Sequence, residues 1–95
     1  MEQATNVALG LDIAKEKFDA CIEVNGKLKR KEFANTPSGY TKLSEWQKQL
    51  GVERGHACME ATGSYGEALA EYLYEAGQPV SVVNPAWLWR IDKLI

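Results

Sequence analysis

Residues 7–13 read VALGLDI, a nearly continuous apolar run that is broken by one carboxylate, Asp12. Such a run is typical of a central strand that is covered on both faces. Residues 18–24, FDACIEV, alternate instead and predict a half-buried antiparallel strand. Asn25-Gly26 follows at once and favours a tight hairpin, because both turn positions require positive φ. A third strand over residues 27–34 is therefore predicted to return beside the second, with the basic side chains expected at a sheet edge.

The next part of the chain alternates between helical and strand patterns. Residues 35–38, NTPS, break the strand pattern and offer a helix cap. A first amphipathic helix, ending near Gly51, is predicted by a stripe at three- and four-residue spacing, Tyr40, Leu43, Trp46 and Leu50. Residues 56–60, HACME, then predict a short buried strand.

A second helix is predicted to open at residues 62–64, TGS, and to end at Gly77. Its apolar stripe, expected to pack in the core, consists of Tyr65, Leu69, Tyr72, Leu73 and Ala76. Residues 80–83, VSVV, predict a buried strand. Asn84-Pro85 then predicts the cap and first position of a last helix over residues 85–95.

The predicted order of elements is β-β-β-α-β-α-β-α, an antiparallel meander followed by right-handed crossovers. This order is that of the α/β class with an RNase H-like mixed sheet. We expect residues 1–95 to form a single partial domain with its core over residues 7–86, because no linker, repeat or low-complexity segment divides the chain.

Composition and charge narrow the class of protein. The chain is 45% hydrophobic and 25% charged, as soluble globular proteins are, and its net charge of -2 argues against a free-standing nucleic-acid binder with a broad basic surface. Cys21 and Cys58 lack metal-ligand spacing and are expected to be free thiols. No apolar run is long enough to span a membrane and no signal peptide is visible, so the expected location is the cytoplasm.

Two carboxylates stand at strand ends. Asp12 is near the carboxyl end of the first predicted strand and Glu60 ends the fourth. If these strands are neighbours, the residues lie roughly 4.8 Å apart, and their mutual repulsion is relieved by a divalent cation. Hard oxygen ligands favour Mg²⁺ or Mn²⁺. The alternative for Asp12 alone is a cap or turn former, whereas Glu60 follows a buried strand and needs a partner.

Other polar features have simpler interpretations beside functional ones. One interpretation of residues 62–64 is a phosphate site formed by free N–H groups at a helix N-terminus. The favoured interpretation is helix capping by Thr62 or Ser64. One interpretation of the basic residues in 27–31 is a surface that binds the phosphates of a nucleic-acid backbone. The favoured interpretation is a solvated edge strand. Asp19 is assigned to the solvated surface.

Three segments together resemble one family: residues 10–15 (GLDIAK) with Phe18, residues 59–65 (MEATGSY) and residues 80–86 (VSVVNPA). The chain resembles the DEDD insertion-sequence transposases, often called the "IS one-ten" group, whose N-terminal domain is RuvC-like. The resemblance implies that Asp12 matches the first catalytic Asp and Glu60 the catalytic Glu. It also implies a magnesium-dependent DNA recombinase of bacterial mobile elements that is guided by RNA encoded in the element.

The resemblance weakens at the carboxyl end. Residues 87–95 read WLWRIDKLI, and the family's final acidic motif is only echoed there, so Asp92 is not assigned a catalytic role. We therefore expect either an expressed fragment or a truncated, decayed element, in both cases with an incomplete catalytic set, weak Mg²⁺ binding and no activity alone. The apolar stripe of the helix over residues 85–95 predicts a homodimer formed through it.

Two other classes remain open. A non-catalytic binding or oligomerisation module that keeps the fold is favoured by the tryptophan-rich residues 87–95. The first half of an actin-like phosphotransferase shares the Gly-x-Asp motif, but residues 14–16, AKE, lack the glycine and hydroxyl residues that would cradle phosphate in its first hairpin.

Overall fold

A computed structural model of the chain describes residues 7–52, 55–60 and 64–83. The five strands are β1 (Val7–Ile13), β2 (Lys17–Val24), β3 (Lys27–Ala34), β4 (Gly55–Glu60) and β5 (Val80–Val83). The two helices are α1 (Pro37–Gln49) and α2 (Glu67–Glu75). The predicted helix over residues 85–95 lies outside the described residues. Neither α1 nor α2 has the length and apolar character that crossing a membrane requires.

The five strands form one mixed sheet in the order β3-β2-β1-β4-β5. β1 pairs antiparallel with β2 and parallel with β4, and β4 pairs parallel with β5. This arrangement confirms the predicted α/β class with an RNase H-like mixed sheet and the predicted order of elements as far as β5. β1 is the central strand, because it joins the antiparallel part of the sheet to the parallel part.

The β2–β3 hairpin closes at the predicted turn. Asn25 and Gly26 have φ angles of 53° and 78°, which is the left-handed geometry that an Asn-Gly turn adopts at low cost. The turn pairs Val24 with Lys27 and fixes the register along both strands. Because side chains alternate between faces, this register also fixes which residues of β3 lie beside which residues of β2.

Three of the four residues in the predicted stripe of α1 are buried, and the fourth, Leu50, is a half-buried C-cap. Tyr40, Leu43 and Trp46 pack in the core, and the helix begins after Thr36, whose side chain accepts a hydrogen bond from the N–H of Gly39. A Cβ on Gly39 would lie 1.8 Å from the carbonyl oxygen of Ala34. Helix α1 therefore approaches the end of β3 so closely that only glycine fits at position 39 without a shift of the backbone.

Helix α2 begins later than the sequence predicted. Its N-cap is Gly66, with no side-chain cap bond, and Tyr65 precedes the helix with 50% of its surface exposed. The expectation that Tyr65 packs in the core is therefore wrong, and Ala76 is exposed as well. Tyr65 precedes the first helical turn, so the spacing that places Leu69 and Leu73 in the core does not extend to it. The chain runs close to β1 and β4 here, since a Cβ at Gly66 would lie 3.0 Å from Ile13 Cδ1 and 3.3 Å from Met59 Sδ.

The core lies on one face of the sheet. Leu69 and Leu73 of α2 share a single buried cluster with the stripe of α1 and with the strand residues Leu9, Leu11, Phe18, Ala20, Ile22, Ala57 and Met59. On the opposite face, which we call the open face, Ala8 and Asp12 are exposed. Within the described residues, β1 is therefore covered on one face rather than on both, because α1 and α2 pack on the same side.

Candidate metal centre

The sheet brings together the strand ends that carry Asp12 and Glu60. β1 and β4 are parallel neighbours, and Leu11 pairs with Met59. The next residue of each strand is Asp12 or Glu60, so these two residues hold adjacent register positions, separated by about 4.8 Å between the strands. Both stand at the carboxyl ends of parallel strands, the edge where open α/β sheets place ligands. Asp12 is exposed there.

A third carboxylate, which the sequence analysis assigned to the solvated surface, stands beside Asp12. Asp19 of β2 pairs directly with Asp12 across the antiparallel ladder, and it too is exposed. In such a ladder the side chains of directly opposed residues project from the same face of the sheet. Counting outward from the β1–β2 turn, where Ile13 pairs with Phe18, gives this partner. The hairpin register was therefore the signal that could have found Asp19.

The acidic row continues to β3, where Glu32 pairs with Asp19. Glu32 is neutralised by Lys17, whose Nζ lies 3.0 Å from its Oε2. The hydrogen bond that Lys17 donates to Glu32, together with the attraction of that carboxylate, raises the pKa of Lys17. Among the described residues, neither Asp12 nor Asp19 forms such an ion pair. Asp19 still attracts Lys17 and contributes to its raised pKa, so the negative charge at the end of β1 is only partly compensated.

The segments that follow β1 and β4 are tied together by one side chain. The amide nitrogen of Asn35 donates to the carbonyl oxygens of Ala14 at 3.0 Å, Lys15 at 3.3 Å and Tyr65 at 3.0 Å. Its backbone N–H donates to the carbonyl oxygen of Glu16 at 2.9 Å. The turn after Asp12 and the segment leading into α2 are thus held at a fixed distance.

The donor chemistry around Asp12 suits a hard divalent cation. Carboxylate oxygens are the ligands that Mg²⁺ and Mn²⁺ prefer, and Asp12 offers one from an exposed position beside a second carboxylate. Burial raises the pKa of the Cys58 thiol, two residues before Glu60 on β4. In the part of the chain that the structure describes, no three His, Cys, Asp or Glu residues form a ready metal cluster.

The remaining features of the open face and its edges do not join this centre. Cys21 and Cys58 are free, half-buried thiols, as expected. His56 is exposed, and its Nε2 lies 2.6 Å from Ser81 Oγ. Thr62 and Gly63, proposed for capping or phosphate binding, lie outside the described residues, and Ser64 is exposed and does not cap α2.

Comparison with known proteins identifies the family. Residues 9–95 match the DEDD transposase family, which is described as "Transposase". This match covers more than half of the chain. The chain belongs to the DEDD transposase family. The mixed five-strand sheet is consistent with the RNase H-like fold of this family's domain.

Two curated relatives of this DEDD transposase chain carry the name "Pilin gene-inverting protein", one from Moraxella lacunata and one from Moraxella bovis. Each is 34% identical to it over 87 residues. The matched region is 90% of this chain but only 27% of each relative. The chain therefore spans about a quarter of the length of these relatives.

Proposed function

We propose that this chain is part of the catalytic domain of a DNA transposase, and that it contributes two carboxylates to metal-dependent cleavage and transfer of DNA strands in a longer parent protein. The observation that carries the proposal is the parallel register of β1 and β4, which puts Asp12 beside Glu60. The gene-inverting relatives support a recombination reaction on DNA. Because the chain carries only part of the catalytic residues, we expect it not to cleave DNA on its own.

In this proposal Asp12 and Glu60 hold Mg²⁺ or Mn²⁺ weakly. The bound ion would stabilise the negative charge that develops on phosphodiester oxygens during cleavage. Asp19 pairs with Asp12, and its negative charge helps to attract the cation. We do not assign Asp19 as a ligand. The open face leaves Asp12 accessible to a DNA strand approaching the carboxyl ends of the strands.

A basic surface supports DNA as the substrate. β3 and the first half of α1 carry five exposed cationic residues, Lys27, Lys29, Arg30, Lys31 and Lys42, which we call the basic edge. Of the described residues, only Lys17 and Glu32 form an ion pair, so none of the five cations of the basic edge is held in one. Lys31 and Lys42 also line a cavity of about 480 Å³ between β3 and α1. Phosphates are the groups that such a surface attracts most strongly.

Further parts of the proposal come from the sequence and the family resemblance. These are an RNA partner encoded by the mobile element, a homodimer formed through residues 85–95, and a location in the bacterial cytoplasm. Residues 85–95 lie outside the described residues, so the support for the dimer is the apolar stripe of the sequence alone.

Binding of Mn²⁺ to the 95-residue chain, measured by the loss of the free-ion paramagnetic resonance signal, tests the metal centre. Asp12→Asn is expected to lower the affinity by roughly tenfold or more, because magnesium-like ions need charged oxygen ligands. Glu23→Gln is the matched control, since Glu23 is an exposed carboxylate of β2 with the same charge. Equal affinities of the two variants would contradict the proposal and favour the non-catalytic binding module.

Cleavage of duplex DNA by the purified chain tests the expected inactivity. We expect no cleavage with Mg²⁺ or Mn²⁺, because two carboxylates leave most of the metal shell to water. Cleavage that disappears in Asp12→Asn would show that the chain is active without the remainder of a parent protein.

A further inference from the structure

One side chain bridges the two segments that continue from the strand ends of the candidate metal centre. Asn35 lies between β3 and α1, yet its amide nitrogen donates to Ala14 and Lys15 after β1 and to Tyr65 before α2. Three carbonyl oxygens around one amide nitrogen use both of its N–H groups, with one of them shared. Asn35 thus joins three separate parts of the chain.

The orientation of this amide is fixed by a second partner. The hydroxyl of Tyr40 donates to Asn35 Oδ1 at 2.7 Å, so the oxygen faces α1 and the nitrogen faces the carbonyl groups. Tyr40 is itself buried in the core. The close approach of Gly39 to Ala34 holds the first turn of α1 against the residue that precedes Asn35. The bridge is therefore anchored to the first turn of α1 and, through Tyr40, to the core.

A separate contact shows that the segment before α2 packs against both carboxylate-bearing strands. Gly66 adjoins Tyr65 and lies against Ile13, the residue after Asp12, and against Met59, the residue before Glu60. Displacement of Tyr65 would consequently disturb contacts on both strands. Asn35 is the side chain that opposes that displacement through a hydrogen bond.

We propose that Asn35 is a positioning residue for the candidate metal centre, one that holds the ends of β1 and β4 in register without contacting the metal. The proposal rests on the proposed function of Asp12 and Glu60 as ligands. Mg²⁺ and Mn²⁺ tolerate little departure from octahedral geometry, and groups that orient metal ligands typically change affinity by roughly 10- to 100-fold when they are removed.

The opposite end of the sheet offers a matched control. Gln47 and Gln78 are buried carboxamides that bond to each other, with Gln47 Nε2 donating to Gln78 Oε1 at 2.9 Å. Gln78 Oε1 also accepts from the N–H of Gly55, at the amino end of β4. This pair also holds β4 through carboxamide hydrogen bonds, but it does so at the amino end of the strand, which is remote from Asp12.

The test compares Asn35→Asp with Gln47→Ala in the 95-residue chain, with Mn²⁺ as the probe. Asn35→Asp keeps the shape and an acceptor for Tyr40 but removes the amide donors. It adds a negative charge near the centre, which by itself would strengthen cation binding. We expect a fall in Mn²⁺ affinity of about tenfold in Asn35→Asp and no change in Gln47→Ala, although Gln47→Ala is expected to lose more global stability.

Amide hydrogen exchange supplies a readout that is independent of metal. The N–H of Glu67 donates to Ser64, and the N–H of Ala14 donates to Lys17, so both amides report on the segments that Asn35 holds. Their protection is expected to fall by about tenfold in Asn35→Asp, a size typical of one or two lost hydrogen bonds. Asn35→Ser retains one hydroxyl donor and should lower both Mn²⁺ affinity and amide protection by less than Asn35→Asp does. It replaces Asn35→Asp in the test if that variant does not fold.

The outcomes separate this proposal from the proposed function. If Asp12→Asn weakens Mn²⁺ binding but both Asn35 variants bind as the unsubstituted chain does, the positioning role is overturned and the metal centre stands. If Gln47→Ala weakens binding as much as Asn35→Asp, the effect is general destabilisation and the positioning role is again overturned. If Asp12→Asn has no effect, there is no such centre and both proposals fail.

Discussion

The two ends of the sheet are each held by carboxamide side chains, but in different surroundings. At the amino end of β4, Gln47 and Gln78 are 2% and 5% exposed and satisfy each other and Gly55. At the carboxyl ends of β1 and β4, Asn35 is only half-buried and lies near an exposed carboxylate, Asp12. The first network is shielded from water, whereas the second ties together segments beside the face on which the described residues Ala8 and Asp12 are exposed.

The difference shows how burial decides what a hydrogen bond contributes. A donor left without a partner in a dry interior costs its full desolvation penalty, whereas one near the surface finds water instead. The Gln47–Gln78 pair should therefore contribute mainly to global stability. Asn35 should contribute less to stability and more to the relative position of the segments that it joins. Three substitutions test or sharpen this contrast.

The largest loss of stability is expected from Gly39→Ala. The added Cβ would meet the carbonyl oxygen of Ala34 at 1.8 Å, so α1 or the end of β3 must move and carry Asn35 with it. We expect a loss of about 3 kcal/mol in the free energy of unfolding, measured by urea denaturation. Gly26→Ala is the control, since a Cβ at Gly26 has open space and only the positive φ of 78° costs energy, about 1 kcal/mol. Equal losses would show that the close approach has no energetic consequence.

Gln78→Ala is expected to have the next largest effect, a loss of about 2 kcal/mol. The substitution removes Gln78 Oε1, which accepts from the N–H of Gly55 and from Gln47 Nε2, and leaves both donors buried without this acceptor. Urea denaturation and the exchange rate of the Gly55 amide measure the effect, and Mn²⁺ binding should be unchanged. Gln49→Ala, at an exposed position of α1, should alter stability by less than about 0.5 kcal/mol. A loss of metal binding in Gln78→Ala would erase the distinction between the two ends.

Tyr40→Phe is expected to have the smallest effect, about 1 kcal/mol at neutral pH, because it removes only the hydrogen bond to Asn35 Oδ1. Burial raises the pKa of Tyr40 above its ordinary value of 10.0. The unfolded chain therefore loses this proton first, and the stability that neutral Tyr40 contributes is present below pH 10 and is lost as the pH rises through the folded-state pKa.

Stability measured between pH 8 and pH 11 should consequently decline less steeply in Tyr40→Phe than in the unsubstituted chain. Tyr74→Phe is the control, because the Tyr74 side chain is 75% exposed and its removal takes no buried hydroxyl from the folded chain. Identical alkaline profiles of the two variants would show that Tyr40 does not couple folding to pH.

Much of the fold followed from short-range patterns in the sequence. The apolar run of residues 7–13 and the Asn-Gly turn predicted β1 and the β2–β3 hairpin with bounds that differ from the structure by one residue at most. Alternation and turn geometry act within a few residues, so they can be read directly. The neighbouring positions of Asp12 and Glu60 followed once the strands were taken as adjacent.

The parts that were missed depend on contacts between distant residues. Asn35 was interpreted only as part of a helix-capping segment, because its bond to Tyr65 joins residues 30 positions apart. The start of α2 at Glu67 was missed because the apolar spacing of the sequence continues back to Tyr65, which precedes the helix in the structure. Asp19 was missed for a different reason, since its pairing with Asp12 was implied by the hairpin but not counted.

The central position of β1 also has a consequence for the order in which the protein folds. Its pairing with β2 closes a short turn, whereas its pairing with β4 brings Val7 to Gly55 and must close most of the described chain. Hairpins form within about 1–10 microseconds, while distant parallel pairings form much more slowly. The antiparallel meander is therefore expected to assemble first and to present one bare edge of β1. Until β4 arrives, that edge is free to pair with the wrong strand, including one from a second nascent chain.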